Sequence, residues 1–232
     1  MELTRNQSKW HKEDNMSIEQ KYPSNVTAKG MVYFFILKNV ICRLVCWLWV
    51  RKISGIEKIP RRGPFLIVCN HQSHLDFMVL TFAFRSIRFL SSFIKDAYHD
   101  VPCLDFFLKE LAQIRVDRNN KLKSIDEAIR VLSENHVVVI FPEGTRIRSG
   151  KIGKFYRGVE LIIKNLPHVR IVPVGISGAR KIWSPKHPWP NFFGGRQITF
   201  SVGDAMELTN FEEMDAKQFA DNVRGAVISL VK

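Results

Sequence analysis

Three short runs in this chain are dominated by apolar, mostly β-branched residues: Phe65 to Cys69, Val137 to Phe141 and Val169 to Ile176. Runs without a polar face read as strands buried on both sides, so helices must cover both faces of the sheet they form. The intervening segments supply such helices. Leu75 to Phe84 is an apolar helix, and Leu122 to Glu134 is amphipathic, with Ile125, Ala128, Ile129 and Leu132 on one face. Cys103 to Leu111, Gly158 to Asn165 and Ala216 to Val231 also read as helical. Further strands are expected at Arg88 to Phe93 and Gln113 to Asp117, and Arg196 to Val202 alternates like an edge or antiparallel strand. The order predicts an α/β fold with a mostly parallel or mixed central sheet covered by helices. Ligands of such sheets collect beyond the carboxyl ends of the strands.

At 232 residues the chain is long enough for one well-buried core. Its formal charge of +13 points to an anionic partner, nucleic acid or an anionic membrane. Four cysteines, Cys42, Cys46, Cys69 and Cys103, show no metal-ligand spacing with histidine, so no metal site is expected. Three regions follow. Residues 1–28 are polar and read as a flexible N-terminus without the features of a secretory signal. Residues 29–55 form an apolar helical anchor, and residues 56–232 form the catalytic domain.

Met31 to Val50 is about the length that a bilayer helix needs, roughly 20 residues. Lys38, Asn39 and Arg43 interrupt it, at about 0°, 100° and 140° around a regular helix. Charges at mid-membrane are costly, whereas a helix lying in the interface can turn a polar stripe to the headgroups. Tyr33, Trp47 and Trp49 suit that interface, and Arg51, Lys52, Lys58, Arg61 and Arg62 would attract anionic lipid. A helix packed on the domain's own core, or one spanning the bilayer, fits the same residues. The expected location is the cytoplasmic face of a membrane.

Two blocks stand directly after buried strands. In Asn70-His71-Gln72-Ser73-His74-Leu75-Asp76, His71 and Asp76 would point about 140° apart on one continuous helix. They can meet only if His71 lies in the loop before the helix. Ser73 as N-cap, with Asp76 completing a capping box, allows this. Asp76 would then fix the imidazole tautomer and favour its protonated form, making His71 a general base. A capped helix with an unrelated histidine fits the spacing equally. His74 reads as a packing residue. A Ser73 nucleophile is disfavoured because no G-x-S-x-G elbow is present, and Cys69 lies within an apolar strand. Backbone N–H groups near Ser73 are candidates for holding a carbonyl oxyanion.

The second block is Phe141-Pro142-Glu143-Gly144-Thr145-Arg146, followed by Arg148, Lys151, Lys154 and Arg157 with no acid between them. A cationic loop after a strand can clamp a phosphate, and arginine does so in bidentate fashion. A solvated basic loop is the plainer reading. Glu143 would hydrogen-bond a hydroxyl or hold Arg146, and Arg118 is a further anion ligand. Only Phe155 and Tyr156 interleave these cations, which is not the stacking face that nucleic acid needs. Pro173 inside a strand suggests an edge, a bulge or a tunnel wall. The loop carrying Trp183, Trp189, Phe192 and Phe193 suits an interface or an acyl chain.

Four blocks, in order, resemble the glycerolipid acyltransferase family, in particular its 1-acylglycerol-3-phosphate acyltransferases. N-H-x-x-x-x-D matches Asn70, His71 and Asp76, and a second block resembles Ile114 to Arg118. F-P-E-G-T-R is complete at Phe141 to Arg146, and a proline-centred block resembles Ile171 to Ile176. The resemblance implies acyl transfer from acyl-CoA or acyl-carrier protein to the hydroxyl of lysophosphatidic acid. His71 would be the base and Asp76 its partner. Arg118, Glu143, Gly144, Thr145 and Arg146 would form the acceptor-phosphate site. Neither a covalent acyl-enzyme, a metal nor any other cofactor is implied. The chain departs from the family pattern at Asp105, Ala112 and Arg115.

Overall fold

The computed structural model describes residues 26–84, 89–95, 113–116, 121–147, 149–207 and 214–231. The helix expected at Cys103 to Leu111, the first 25 residues and Arg118 lie outside them. Seven strands form one sheet: β1 (Val50–Ser54), β2 (Phe65–Cys69), β3 (Leu90–Lys95), β4 (Ile114–Val116), β5 (Val137–Ile140), β6 (Arg170–Ser177) and β7 (Ile198–Val202). Their order is β1-β7-β6-β2-β5-β3-β4. From β6 to β4 every pairing is parallel, while β7 is antiparallel to β6 and parallel to β1.

The central strands divide their side chains between two cores. Phe65, Ile67, Cys69, Val137, Val139, Val172 and Val174 face one side. Leu66, Val68, Val138, Ile140 and Ile171 face the other. The first core is closed by α2 (Cys42–Trp49), α3 (Asp76–Ala83) and the short α6 (Ala179–Ile182), the second by α4 (Lys121–Ser133), α5 (Gly158–Asn165) and α7 (Ala216–Leu230). Burial on both faces is why these strands lack alternation.

β7 is antiparallel to β6, as one of the two readings of its alternation expects, and it is not an edge because β1 covers its outer side. That β1 exists at all corrects the reading of residues 29–55 as wholly helical: the helix stops at Trp49, and Arg51 and Lys52 lie on a strand. Pro173 is also interior, and a bulge accommodates it. Val174 pairs with Val202 and Ile171 with Met206, leaving one extra residue on the outer strand opposite Pro173. Its carbonyl accepts from Gly203 N at 2.9 Å, and the N–H it lacks falls where the ladder is broken.

The N-terminal helix runs as α1 (Ala28–Ile36), a π-helical turn (Leu37–Ile41) and α2. This is the single described helix long and apolar enough to cross a membrane. The expected polar residues Lys38, Asn39 and Arg43 fall on and just after this π turn, and Arg43 is exposed. Lys38 and Asn39 are half-buried; Lys38 lies over the Phe34 ring and Asn39 donates to Phe35 O at 2.9 Å. Val45, Cys46 and Trp49 pack into the first core. Val32, Phe35, Ile36, Val40, Leu44 and Trp47 are exposed. The helix therefore has one face docked on the domain and an apolar face turned outward.

Helix α7 lies close against β6 at Gly175, where an added Cβ would stand 2.6 Å from Leu230 Cβ and 2.8 Å from its carbonyl carbon. Gly175→Ala is expected to cost about 1–3 kcal/mol through overpacking. Thermal unfolding in detergent checks it, and an unchanged Tm would contradict this close approach.

Candidate active site

Strands β6, β2 and β5 are adjacent and parallel, so their carboxyl ends open on one edge of the sheet. The loop after β2 carries His71, the loop after β5 carries Phe141 to Arg146, and the segment after β6 begins at Gly178. Both sequence blocks thus reach one place, with His71 in the middle.

Asn70, fully buried, extends β2 by side chain. Its Nδ2 donates to Ile176 O at 2.9 Å and its Oδ1 accepts from Ile176 N at 2.8 Å. The amide thereby saturates a β6 peptide and fixes where the chain leaves the sheet. His71 follows, outside the helix. Its Nδ1 lies 2.8 Å from Asp76 Oδ2. That oxygen also accepts from Gln72 N at 2.6 Å and Ser73 N at 2.8 Å. Asp76 Oδ1 is buried with no hydrogen-bond partner among the described residues. With Nδ1–H given to the carboxylate, Nε2 is left as the basic nitrogen. The ring stacks on Phe141 at 4.1 Å, and its side chain keeps 23% exposure, so solutes reach it.

Ser73 is not the expected N-cap: α3 starts at Asp76 with Leu75 in the N-cap position and no side-chain cap, while Asp76 closes the preceding turn and Ser73 Oγ accepts from Leu75 N at 3.1 Å. The same bonds exclude two other roles. The N–H groups of Gln72 and Ser73 point at Asp76, so the oxyanion site expected at Ser73 is not formed there. Ser73 Oγ donates to Trp183 O at 2.7 Å and has no bond to His71, which removes the serine nucleophile. Burial, then Asp76 and Glu143, push the Cys69 thiol well above its ordinary range, so it stays protonated and unreactive.

Glu143 is placed differently from the expectation. It is buried, its Oε1 accepts from His71 N at 3.0 Å and its Oε2 accepts from Gly153 N at 3.0 Å. It neither holds Arg146 nor faces an acceptor; it braces the His71 backbone. Burial raises its carboxyl above the usual range, and the Gly153 and His71 N–H groups pull it back. A second tie runs from Ile147 N to His71 O at 2.8 Å. His71 is thus held through both its backbone N–H and C=O by the β5 loop. Gly144, at φ +65°, makes the intervening turn.

Arg146 is half-buried and its guanidinium contacts the His74 ring, which in turn packs on Trp183 at 4.9 Å. Burial, then Arg146 and His71, lower the His74 pKa, so this ring stays neutral beside the arginine. Thr145 is exposed at the rim. The rest of the basic loop is partly structural: Arg157 pairs with buried Glu160 at 3.0 Å, and Arg224 of α7 donates to the carbonyls of Ile152 and Gly153 at 2.7 Å each. Asn70's lock, the Phe141 stack and the Arg224 prop carry no local sequence signal, since each partner is remote in the chain. Among the described residues no three histidine, cysteine or acidic side chains gather as a metal site.

This arrangement can deprotonate a bound alcohol beside a cationic rim. The acyltransferase family model matches residues 50–177, which include both blocks and both ends of the dyad. The 1-acyl-sn-glycerol-3-phosphate acyltransferase of Pseudomonas aeruginosa is 32% identical over 186 residues, 75% of this chain and 68% of that protein. The enzyme of that name from Limnanthes douglasii is 32% identical over 62% of this chain and 52% of its own. The crystal structure of the 1-acyl-sn-glycerophosphate (LPA) acyltransferase PlsC from Thermotoga maritima superposes with a TM-score of 0.69 at 19% identity, covering 85% of this chain and 78% of that one, and shares the fold. On these matches the chain belongs to the acyltransferase family.

Proposed function

We propose that the protein transfers a fatty acyl group from a thioester, acyl-CoA or acyl-carrier protein, to the free hydroxyl of lysophosphatidic acid, giving phosphatidic acid. The observation that carries this is the His71–Asp76 pair, 2.8 Å apart, with Nε2 open at the sheet edge beside the Arg146 turn. Nε2 takes the hydroxyl proton as the oxygen bonds to the thioester carbonyl carbon. The C–S bond then breaks and the proton passes to the departing sulfur. Asp76 stabilises the imidazolium in between. The thioester supplies the activated carbonyl, so no cofactor enters this scheme. Arg146 and Thr145, joined by Arg118, are the proposed grip on the acceptor phosphate.

The exposed apolar face of α1 and α2 suits a membrane interface. A helix whose opposite face packs through Val45, Cys46 and Trp49 cannot be encircled by lipid, so lying in the interface is preferred to spanning. Phe192 and Phe193 are exposed, and the Phe192 ring lies tilted against Trp49 with centroids 6.0 Å apart. The basic residues Arg51, Lys52 and Lys58 favour an anionic, cytoplasmic leaflet.

His71→Ala is expected to reduce acyl transfer by roughly 10²–10⁴-fold with unchanged Tm; retained turnover would remove the base assignment. Glu143→Gln presents an amide N–H to one of two backbone donors and is expected to destabilise by about 1–3 kcal/mol and lower kcat. Unfolding curves and single-turnover rates together check it, and wild-type values of both would refute the brace. Leu44→Lys with Trp47→Lys should abolish sedimentation with anionic vesicles at unchanged Tm. Undiminished vesicle binding by that variant argues against the interfacial face.

A further inference from the structure

Beyond β6 lies a cavity of about 700 Å³ that the dyad does not use. Its lining includes Gln72, Ser177, Arg180, Lys181 and Lys186, with Gly150 of the basic loop close against Arg180, where an added Cβ would stand 3.1 Å from Nη1. No acidic side chain lines it. Ser177 is 91% buried, since its exposure is 9%, and its Oγ has no hydrogen-bond partner among the described residues. An enclosed donor group beside three permanent cations fits a phosphate-bearing ligand, and the volume falls in the range of small-molecule and cofactor sites, roughly 300–1,000 Å³.

Sheet order then assigns the ligand. β2 stands between β5 and β6, so the His71 loop has a cationic loop on either side. The β5 side carries Arg146, the proposed acceptor grip. The β6 side carries this cavity, and Gln72, next to His71, forms part of its wall. Two substrates that each bear phosphate must bring a hydroxyl and a thioester carbonyl together at one nitrogen. An anion site on each side of that nitrogen meets the requirement. Resting on the proposed function, we infer that the cavity after β6 binds the phosphorylated end of the thioester donor, the diphosphate and phosphorylated nucleotide portion of an acyl-CoA-type molecule.

The test uses the full chain in detergent with Arg180→Gln, Lys181→Gln and Lys186→Gln, singly and together. The KM for acyl-CoA should rise roughly tenfold for each cation that contacts phosphate, while the KM for lysophosphatidic acid holds. With an acyl-N-acetylcysteamine thioester, which carries no phosphate, the variants and the wild type should share one kcat/KM. Calorimetric titration with free CoA should show the same weakening without turnover. A raised acceptor KM with donor KM unmoved would give the cavity to the acceptor and overturn the inference. So would equal losses on both thioesters, or unaltered CoA binding in the triple variant. If the wild type acylates no lysolipid, the functional reading falls, yet the CoA titration still decides the cavity.

Discussion

The site depends on one carboxylate that does no chemistry. Glu143 receives the His71 N–H on one oxygen and the Gly153 N–H on the other. These bonds fasten the loop after β2 to the loop after β5, and Ile147 N closes the same junction by donating to His71 O. A loop residue held through both its peptide groups loses much of its backbone freedom in the folded state, before any substrate arrives. Such restraint matters because a base displaced by about 1 Å can lose two orders of magnitude in rate. The burial that raises the Glu143 carboxyl is the cost of this joint, offset by two N–H donors that would otherwise be unsatisfied in a buried place.

That joint works because the sheet has already placed the two loops side by side. β2 pairs with β5 and with β6 in parallel along its length, and Asn70 continues the β6 pairing by side chain where the backbone turns away. Order of strands, rather than nearness in sequence, puts a base between two cationic segments. The fold contributes position, and the loops contribute chemistry.

Much of this was legible in the residues. Phe65 to Cys69 and Gly158 to Asn165 match their elements end for end, because unbroken apolar runs and helical periodicity are local signals. That His71 must leave the helix to meet Asp76 also follows from spacing alone, and the 2.8 Å contact agrees. Other features depend on partners that sequence cannot display. β1 is a strand only because β7 is there to pair with Val50 to Ser54. The π turn in the N-terminal helix changes which residues face outward, and nothing in Leu37 to Ile41 announces it. Glu143 looked like a ligand because an acid among cations attracts that reading. Its true partners are main-chain groups, which have no sequence signature.

Charge in the site is sorted by depth. Two carboxylates, Asp76 and Glu143, lie buried against His71, one at its side chain and one at its backbone. The nearest arginine of the FPEGTR turn is held away on the neutral His74 ring, at the rim. An imidazolium formed at His71 therefore meets negative charge within the protein, where low polarity strengthens the attraction, and meets cations only outward. The buried Asp76 Oδ1, without a hydrogen-bond partner among the described residues, adds negative charge beside the ring. A sheet edge with a negative interior and a positive rim suits the proposed reaction, in which His71 gains a proton beside an acceptor phosphate.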